Sequence, residues 1–520
     1  MITRYKTELL LVCAGILLLA LLFVSQKIII GSSGYSALSV PFDDVYIHCR
    51  YAENLLAGNG YSFNLPQQVT ADTSPLWVLL IATGGLLTSH LDIVAIILSS
   101  LAWLLIAPAV YRVAKYVFEF EERWAIATGV LILLNARLLA MGPSGMETTL
   151  AALLTLIAVE MHLRSRIQNK VRVREAIVLG LAIAVRPELY LLAALAALDW
   201  IVLLFSKRVS IIGVLVFGLT LSTFFAIVLS LPYSIEGKLL YHSSVVQGAQ
   251  VRTEPDFFYM FRSFAILLES YWYFALLFFI NSYKLWLPKW RARYAVPLLL
   301  IVLLPVIQGF ISPQYRHFGR YIFPLLPLVA LAAGAFLRRT LRSELEYTSD
   351  ALEKNIRLHG WRIFPADGQF AICIVIGLII LFIGVYRWTL YYAEGSSNIN
   401  DQHLAIASWV NTNATLSDVI AADDVGALGF FTKKKIIDLT GLVTPELYPL
   451  QTDQRLVWKA ARDKGANLFI IYTRLNPTFY QYAKDSLELV KEFRITKRLI
   501  TSADTVMSIF RVKGATYATR

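Results

Sequence analysis

Apolar residues gather into long runs separated by short polar segments. The first run extends from about Leu9 to Val24. Others fall at roughly 92–111, 124–140, 148–162, 175–187, 188–206, 210–231, 262–281, 295–311, 321–337 and 369–386. Crossing ~30 Å of hydrocarbon takes about 20 helical residues, so these runs read as membrane spans, several of them short. The run Leu76–Thr88 has only about thirteen residues and contains Gly84-Gly85, which suits an interfacial or re-entrant helix better than a crossing. After Tyr386 the pattern changes. Short β-like runs at Val419–Ala422, Ile436–Leu439, Leu468–Tyr472 and Met507–Val512 alternate with helical stretches such as Gln402–Asn411, which predicts a small α/β domain.

Composition agrees with a membrane protein. Hydrophobic residues make up 57% of the 520-residue chain and charged ones 16%, against about 45–50% and about 25% in ordinary globular chains. That excludes a compact soluble enzyme, a disordered regulator and a disulfide scaffold. The net charge of +12 fits loops rich in Lys and Arg on the cytoplasmic side. No basic stripe on a soluble segment suggests nucleic acid.

Charge also orients the chain. If Leu76–Thr88 does not cross, Arg112/Lys115/Arg123, Arg164/Arg166/Lys170/Arg172/Arg174, Lys207/Arg208, Lys284/Lys289/Arg291/Arg293 and Arg338/Arg339/Arg342 all fall inside. The expectation is a polytopic α-helical membrane protein with about 11 spans, a cytoplasmic N-terminus and an outer C-terminus. Residues 1–387 form the membrane domain, with a first outer loop over 31–91 carrying juxtamembrane helices. Residues 388–520 form the outer α/β domain, and Ser343–Asp367 an inner amphipathic linker.

With that topology the unusual polar residues collect on the outer face, next to span ends, where charge is expensive in lipid and a functional role is the default. The first outer loop holds Asp43-Asp44, then His48, Arg50, Tyr51 and Trp77. Adjacent carboxylates point in different directions, so one can take a proton from an attacking hydroxyl while the other orients a substrate or a metal. The competing role for one of them is to N-cap the helix that begins near Val45. His48 also fits a solvated surface position, and Glu147 on the next outer turn fits a local ion pair. Arg186, Lys238, Arg316, His317 and Arg320 form a basic set at the same level. Guanidinium forks match phosphate oxygens, although any single one could snorkel to lipid headgroups.

The run Asp43-Asp44-x-Tyr46-Ile47-x-x-Arg50-Tyr51-x-x-Asn54-Leu55-x-x-Gly58-x-Gly60-Tyr61-x-Phe63-Asn64, with Thr73-Ser74-Pro75-Leu76-Trp77, resembles the first-loop signature of bacterial GT-C glycosyltransferases. It is most similar to the terminal β-arabinofuranosyltransferase family. Gly145-Met146-Glu147-Thr148, Arg186-Pro187-Glu188, the region near Lys238, Ala421-Ala422-Asp423-Asp424-Val425-Gly426 and Ile437-Asp438-Leu439-Thr440-Gly441-Leu442 extend the likeness over most of the chain. Two segments depart from the family pattern, Pro66–Asp72 and Tyr233–Gly237, and both are expected on the acceptor side.

The resemblance implies a GT-C fold in a bacterial inner membrane with its active site facing the periplasm or exterior. It implies inverting transfer of a sugar, expected to be arabinofuranose, from a polyprenyl-phosphate donor to an extracytoplasmic glycan or protein. Asp43 would be the general base, supported by Asp44 and Glu147. Arg186, Lys238, Arg316, His317 and Arg320 would hold the donor phosphate, and His48, Arg50, Tyr51 and Trp77 would contact substrate. No cofactor is implied, and a divalent cation between the acids stays open. A mannosyl- or aminoarabinosyl-transferase of the same fold, or a secondary transporter, are the alternatives.

Overall fold

The structure is a computed structural model and describes residues 5–31, 38–246, 254–269, 294–311, 317–335, 337–338, 366–415 and 417–514. The first ten helices are α1 (Lys6–Ile30), α2 (Asp44–Leu56), α3 (Pro75–Gly85), α4 (Leu91–Tyr116), α5 (Glu122–Leu133), α6 (Ala136–Met141), α7 (Thr148–Ile167), α8 (Val173–Val185), α9 (Tyr190–Phe205) and α10 (Ile211–Glu236). Among the described residues six helices are long and apolar enough to cross a membrane: Lys6–Ile30, Leu91–Tyr116, Pro187–Phe205, Ile211–Glu236, Phe318–Ala335 and Val375–Asn413. The expected span at 262–281 and the linker Ser343–Asp367 lie largely outside the described residues.

The expected span at 124–140 is broken. Residue Asn135 interrupts it and accepts a hydrogen bond from the Leu138 amide at 3.0 Å, capping a separate short helix, α6. Helix α7 has 20 residues, about 30 Å at 1.5 Å per residue, but buries Thr148, Thr149, Thr155, His162 and Ser165. It falls outside the six because its buried face is polar, not because it is short. Helix α3 has 11 residues, about 16 Å long. It packs against α2 and α4, and Leu86 and Leu87 just beyond it stand exposed.

The C-terminal part carries five strands: β1 (Ile420–Ala422), β2 (Ile436–Asp438), β3 (Leu468–Ile471), β4 (Leu487–Arg494) and β5 (Val506–Val512). Their order is β2-β1-β3-β5-β4. β1 pairs in parallel with β2 and β3, while β5 runs antiparallel to β3 and β4. Alternate residues serve two cores. Ile420, Ala422, Leu468, Ile470 and Ile509 face the core shared with the membrane helices. Ala421, Ile437, Phe469, Ile471 and Phe510 pack under helices Gln454–Asp463 and Pro477–Ala483.

The helix Ala366–Ile399 runs into this region without a break. It passes through a π turn, Asn400–Leu404, and ends as Ala405–Asn413. The π turn presents Gln402 to the carbonyls of Phe493 and Asp504 on the outer hairpin. The sheet is seated on the first loop. Asn64 donates to the Ile436 carbonyl at 2.8 Å and accepts the Ile436 amide at 3.0 Å, so it acts as a partner to the edge of β2. Tyr46 packs against Phe430 and Phe431.

Candidate functional site

The first loop closes on itself through α2. Arg50 donates to the Phe63 carbonyl at 3.2 Å and to Glu53 at 2.7 Å, and the Tyr51 hydroxyl donates to Val69 at 2.5 Å. Trp77 donates its indole N–H to the Gly145 carbonyl at 3.2 Å. Arg50, Tyr51 and Trp77 are all buried. In the structure all three fold the loop and tie it to the 145 turn.

His48 is also enclosed. Its Nδ1 lies 2.5 Å from Asp72 and its Nε2 3.2 Å from Glu147. Burial works against a charged ring, yet the two carboxylates outweigh it and raise the imidazole to about 10. His48 is thus enclosed between two carboxylates rather than solvated at the surface. Asp72 is fixed in turn by the Ser74 amide at 2.7 Å.

Glu147 stands at the start of α7. Gly145 before it has φ +78, and a Cβ there would lie 2.8 Å from Val45, so both the backbone and the space call for glycine. Glu147 pairs with Arg186, which also bonds Glu188, its Nε at 2.6 Å. Burial opposes the Glu147 charge, but Arg186, His48 and Arg320 hold it well below the usual carboxylate range. Arg186 is expected at the donor phosphate from its sequence context. In the structure two buried acids occupy its guanidinium, and Tyr321 covers it with the ring centroid 4.9 Å away.

Arg320 differs. It reaches the network through a kink in the segment His317–Leu325, where Phe318 has φ 66 and Gly319 φ 82. A phenylalanine in that region is strained. It is held there by edge contacts to Phe42 and Trp388 and by Arg137, which donates to its carbonyl at 2.8 Å. Arg320 is 6% exposed. It bonds Asp44 at 3.0 Å and points another nitrogen at the Met146 thioether, 3.8 Å away. Its Nε is buried without a partner among the described residues. An unsatisfied buried guanidinium N–H is rare and calls for an acceptor.

Asp43 faces the other way. Its two carboxylate oxygens accept the Gly426 amide at 2.7 Å and the Ala427 amide at 2.8 Å, so it caps a helix of the terminal region rather than α2. Burial pushes its carboxyl up to about 6, with Asp424 adding to the rise and His403 and the two amides opposing it. The neighbouring acids thus divide as their geometry allows, Asp44 toward Arg320 and Asp43 toward the sheet.

Lys238 is exposed beyond α10 and has no partner among the described residues, so it is not drawn into the network. Arg316 and the His317 side chain lie outside the described residues. The two segments that depart from the family pattern meet each other: Thr70 donates its amide and hydroxyl to Glu236 at 2.6 and 2.5 Å. Among the described residues no group of three or more His, Cys, Asp or Glu side chains is placed to hold a metal.

Sequence reasoning does not assign Asp72, Glu188, His403, Asp423 or Asp424 to the site. Glu188 and the Asp423-Asp424 pair stand within the Arg-Pro-Glu and Ala-Ala-Asp-Asp motifs. Asp72 and His403 carry no local signal.

Residues 397–510 match a family model described as a domain of unknown function, DUF8728. No curated protein matches the chain. Two solved structures of ArnT from Cupriavidus metallidurans are similar to it. The one bound to undecaprenyl phosphate has a TM-score of 0.54 at 14% identity, over 95% of this chain and 97% of that chain. The apo structure has a TM-score of 0.53 with the same identity and coverage. The likeness concerns the fold: the mostly helical chain has an ArnT-like GT-C architecture.

Proposed function

We propose that the chain is a polyprenyl-phosphate-dependent glycosyltransferase of the GT-C fold, working where the Asp44–Arg320 pair adjoins Asp43. One observation carries this reading. Arg320 is a buried guanidinium whose Nε has no partner among the described residues, bonded to the acid next to Asp43, in a fold shared with a structure that holds undecaprenyl phosphate.

In this reading Arg320 receives the donor phosphate. The acceptor oxygen attacks the anomeric carbon, the bond from that carbon to the phosphate oxygen breaks, and the acceptor proton passes to Asp43. The leaving polyprenyl phosphate gains negative charge, and a preoriented guanidinium in a water-poor site stabilises it. A carboxyl near 6 is suited to this task, being ionised at neutral pH yet still basic. Asp44 aligns Arg320. Glu147, His48 and Asp72 act behind the site with Arg186, as a buried ladder of alternating charge that fixes the wall Arg320 leans on. The likeness of the first loop favours arabinofuranose as the sugar, and an aminoarabinosyl donor fits the same fold. The site faces the periplasm or exterior of a bacterial inner membrane, and the acceptor is an extracytoplasmic glycan or protein.

Native mass spectrometry of the full chain with undecaprenyl phosphate tests the phosphate site. Wild type retains the lipid, and Arg320→Gln weakens binding by roughly tenfold or more, the scale of a charge-assisted hydrogen bond. Equal retention by both would remove Arg320 from the donor site.

A further inference from the structure

The terminal region places a second group of titratable side chains against Asp43. The connection from β1 to β2 runs over one face of the sheet and that from β2 to β3 over the other, since Ala427 and Phe430 join the first core and Val457 and Ala461 the second. Such a reversal opens a crevice at the carboxyl ends of the parallel strands, where α/β sheets place their functional groups. Asp423 and Asp424 follow β1 there, and Tyr472 follows β3.

Asp424 accepts the Tyr472 hydroxyl at 3.0 Å and lies 3.0 Å from His403 Nε2. Asp423 accepts the Tyr472 amide at 2.9 Å. His403 sits on the π turn, a helical irregularity concentrated at functional sites. Its Nδ1 is buried with no partner among the described residues. The Asp424 side chain stays 36% accessible. Two residues beyond it, the Gly426 amide holds Asp43 so closely that a Cβ on Gly426 would lie 2.2 Å from the Asp43 carbonyl oxygen.

We propose that Asp424 and His403 are positioning residues for the base: the turn that carries Asp424 clamps Asp43 through the Gly426 and Ala427 amides, and the ion pair of Asp424 with His403 holds that turn. This rests on Asp43 being the base. It makes the terminal region part of the reaction centre rather than an appended binding module. The charged and titratable groups facing this centre are Asp44 and Tyr46 from α2, Arg320 through Asp44, Asp423 and Asp424 after β1, Tyr472 after β3, and His403 from the π turn.

The two residues act with opposite sign. Asp424 raises the Asp43 carboxyl and His403 lowers it. Infrared titration of the full chain, differenced against Asp43→Asn, reads the Asp43 carboxyl directly. Asp424→Asn is expected to move its midpoint down by about one pH unit and His403→Gln up by a similar amount, the scale of a nearby charge. Asp424→Glu restores the wild-type midpoint. With synthetic polyprenyl-phosphoryl arabinofuranose as donor, the acid limb of kcat/KM follows the same two shifts. Midpoints that do not move, or that move the same way in both variants, overturn the proposal. Absence of turnover by wild type at every pH would defeat the transferase reading instead, and the infrared titration would still decide the role of Asp424 and His403.

Discussion

The two ends of α7 carry nearly the same polar motif. At one end His48 lies between Asp72 and Glu147, and Glu147 pairs with Arg186. At the other, His162 lies between Glu175 at 2.8 Å and Asp199 at 3.2 Å, and Asp199 pairs with Arg166 at 2.6 Å. Both histidines are buried. The two groups differ in how they end. The His162 group stays inside the helix bundle, with Trp200 donating to Glu175 at 2.9 Å. The His48 group continues through Arg320, whose Nε lacks a partner among the described residues, to the partly accessible Asp44. A buried ion cluster is therefore not a sign of chemistry by itself. The His48 end is marked by a route out of the cluster to a partly accessible carboxylate.

Substitutions can break this contrast. Arg320→Gln should reduce turnover by ~10²–10³, as loss of a donor to a developing anion does, while shifting Tm little. Asp199→Asn at the His162 end should do the reverse. It strands buried His162 and Arg166 and should cost about 3–5 kcal/mol of stability, with turnover per folded molecule unchanged. Denaturant titration beside a donor-release assay separates the two. If Asp199→Asn abolished turnover in folded protein, the His162 cluster would have a role this contrast denies it.

A smaller effect is expected where the terminal region docks. Gly426→Ala drives a methyl group against Asp43 and should cost about 1–3 kcal/mol by overpacking, with reduced kcat and little change in donor KM. Smallest of all, Lys238→Ala should leave both turnover and Tm at wild-type values, since Lys238 is exposed with no partner among the described residues. A large loss there would return Lys238 to the donor site.

Much of the site is legible in the sequence because charge near a span end is costly. Asp43, Asp44, Glu147, Arg186 and Arg320 stand out on that ground alone. Their division of labour is not legible. That Arg186 is held by two buried acids while Arg320 bonds the partly accessible Asp44 depends on the Phe318-Gly319 kink, which no hydropathy pattern encodes. His48 resembles a surface residue in the sequence because its partner Asp72 is 24 positions away. The turn that carries Asp424 meets Asp43 through the Gly426 amide, a contact spanning 383 positions. Strand β4 escapes detection because only Leu487 and Phe493 along it are buried, so it lacks the alternation of a half-covered strand. The break between α5 and α6 does carry a signal in Asn135, a strong helix N-cap inside an apolar run.

The central claim is that Asp43 acts as the base beside a phosphate-binding Arg320. Release of polyprenyl phosphate from synthetic polyprenyl-phosphoryl sugars, followed by mass spectrometry across pH, tests it most directly. Wild type should turn over an arabinofuranosyl or aminoarabinosyl donor, with activity lost as pH falls through about 6 and Asp43 becomes protonated. Folded Asp43→Asn should be slower by ~10² or more. Equal release by wild type and Asp43→Asn would contradict the claim.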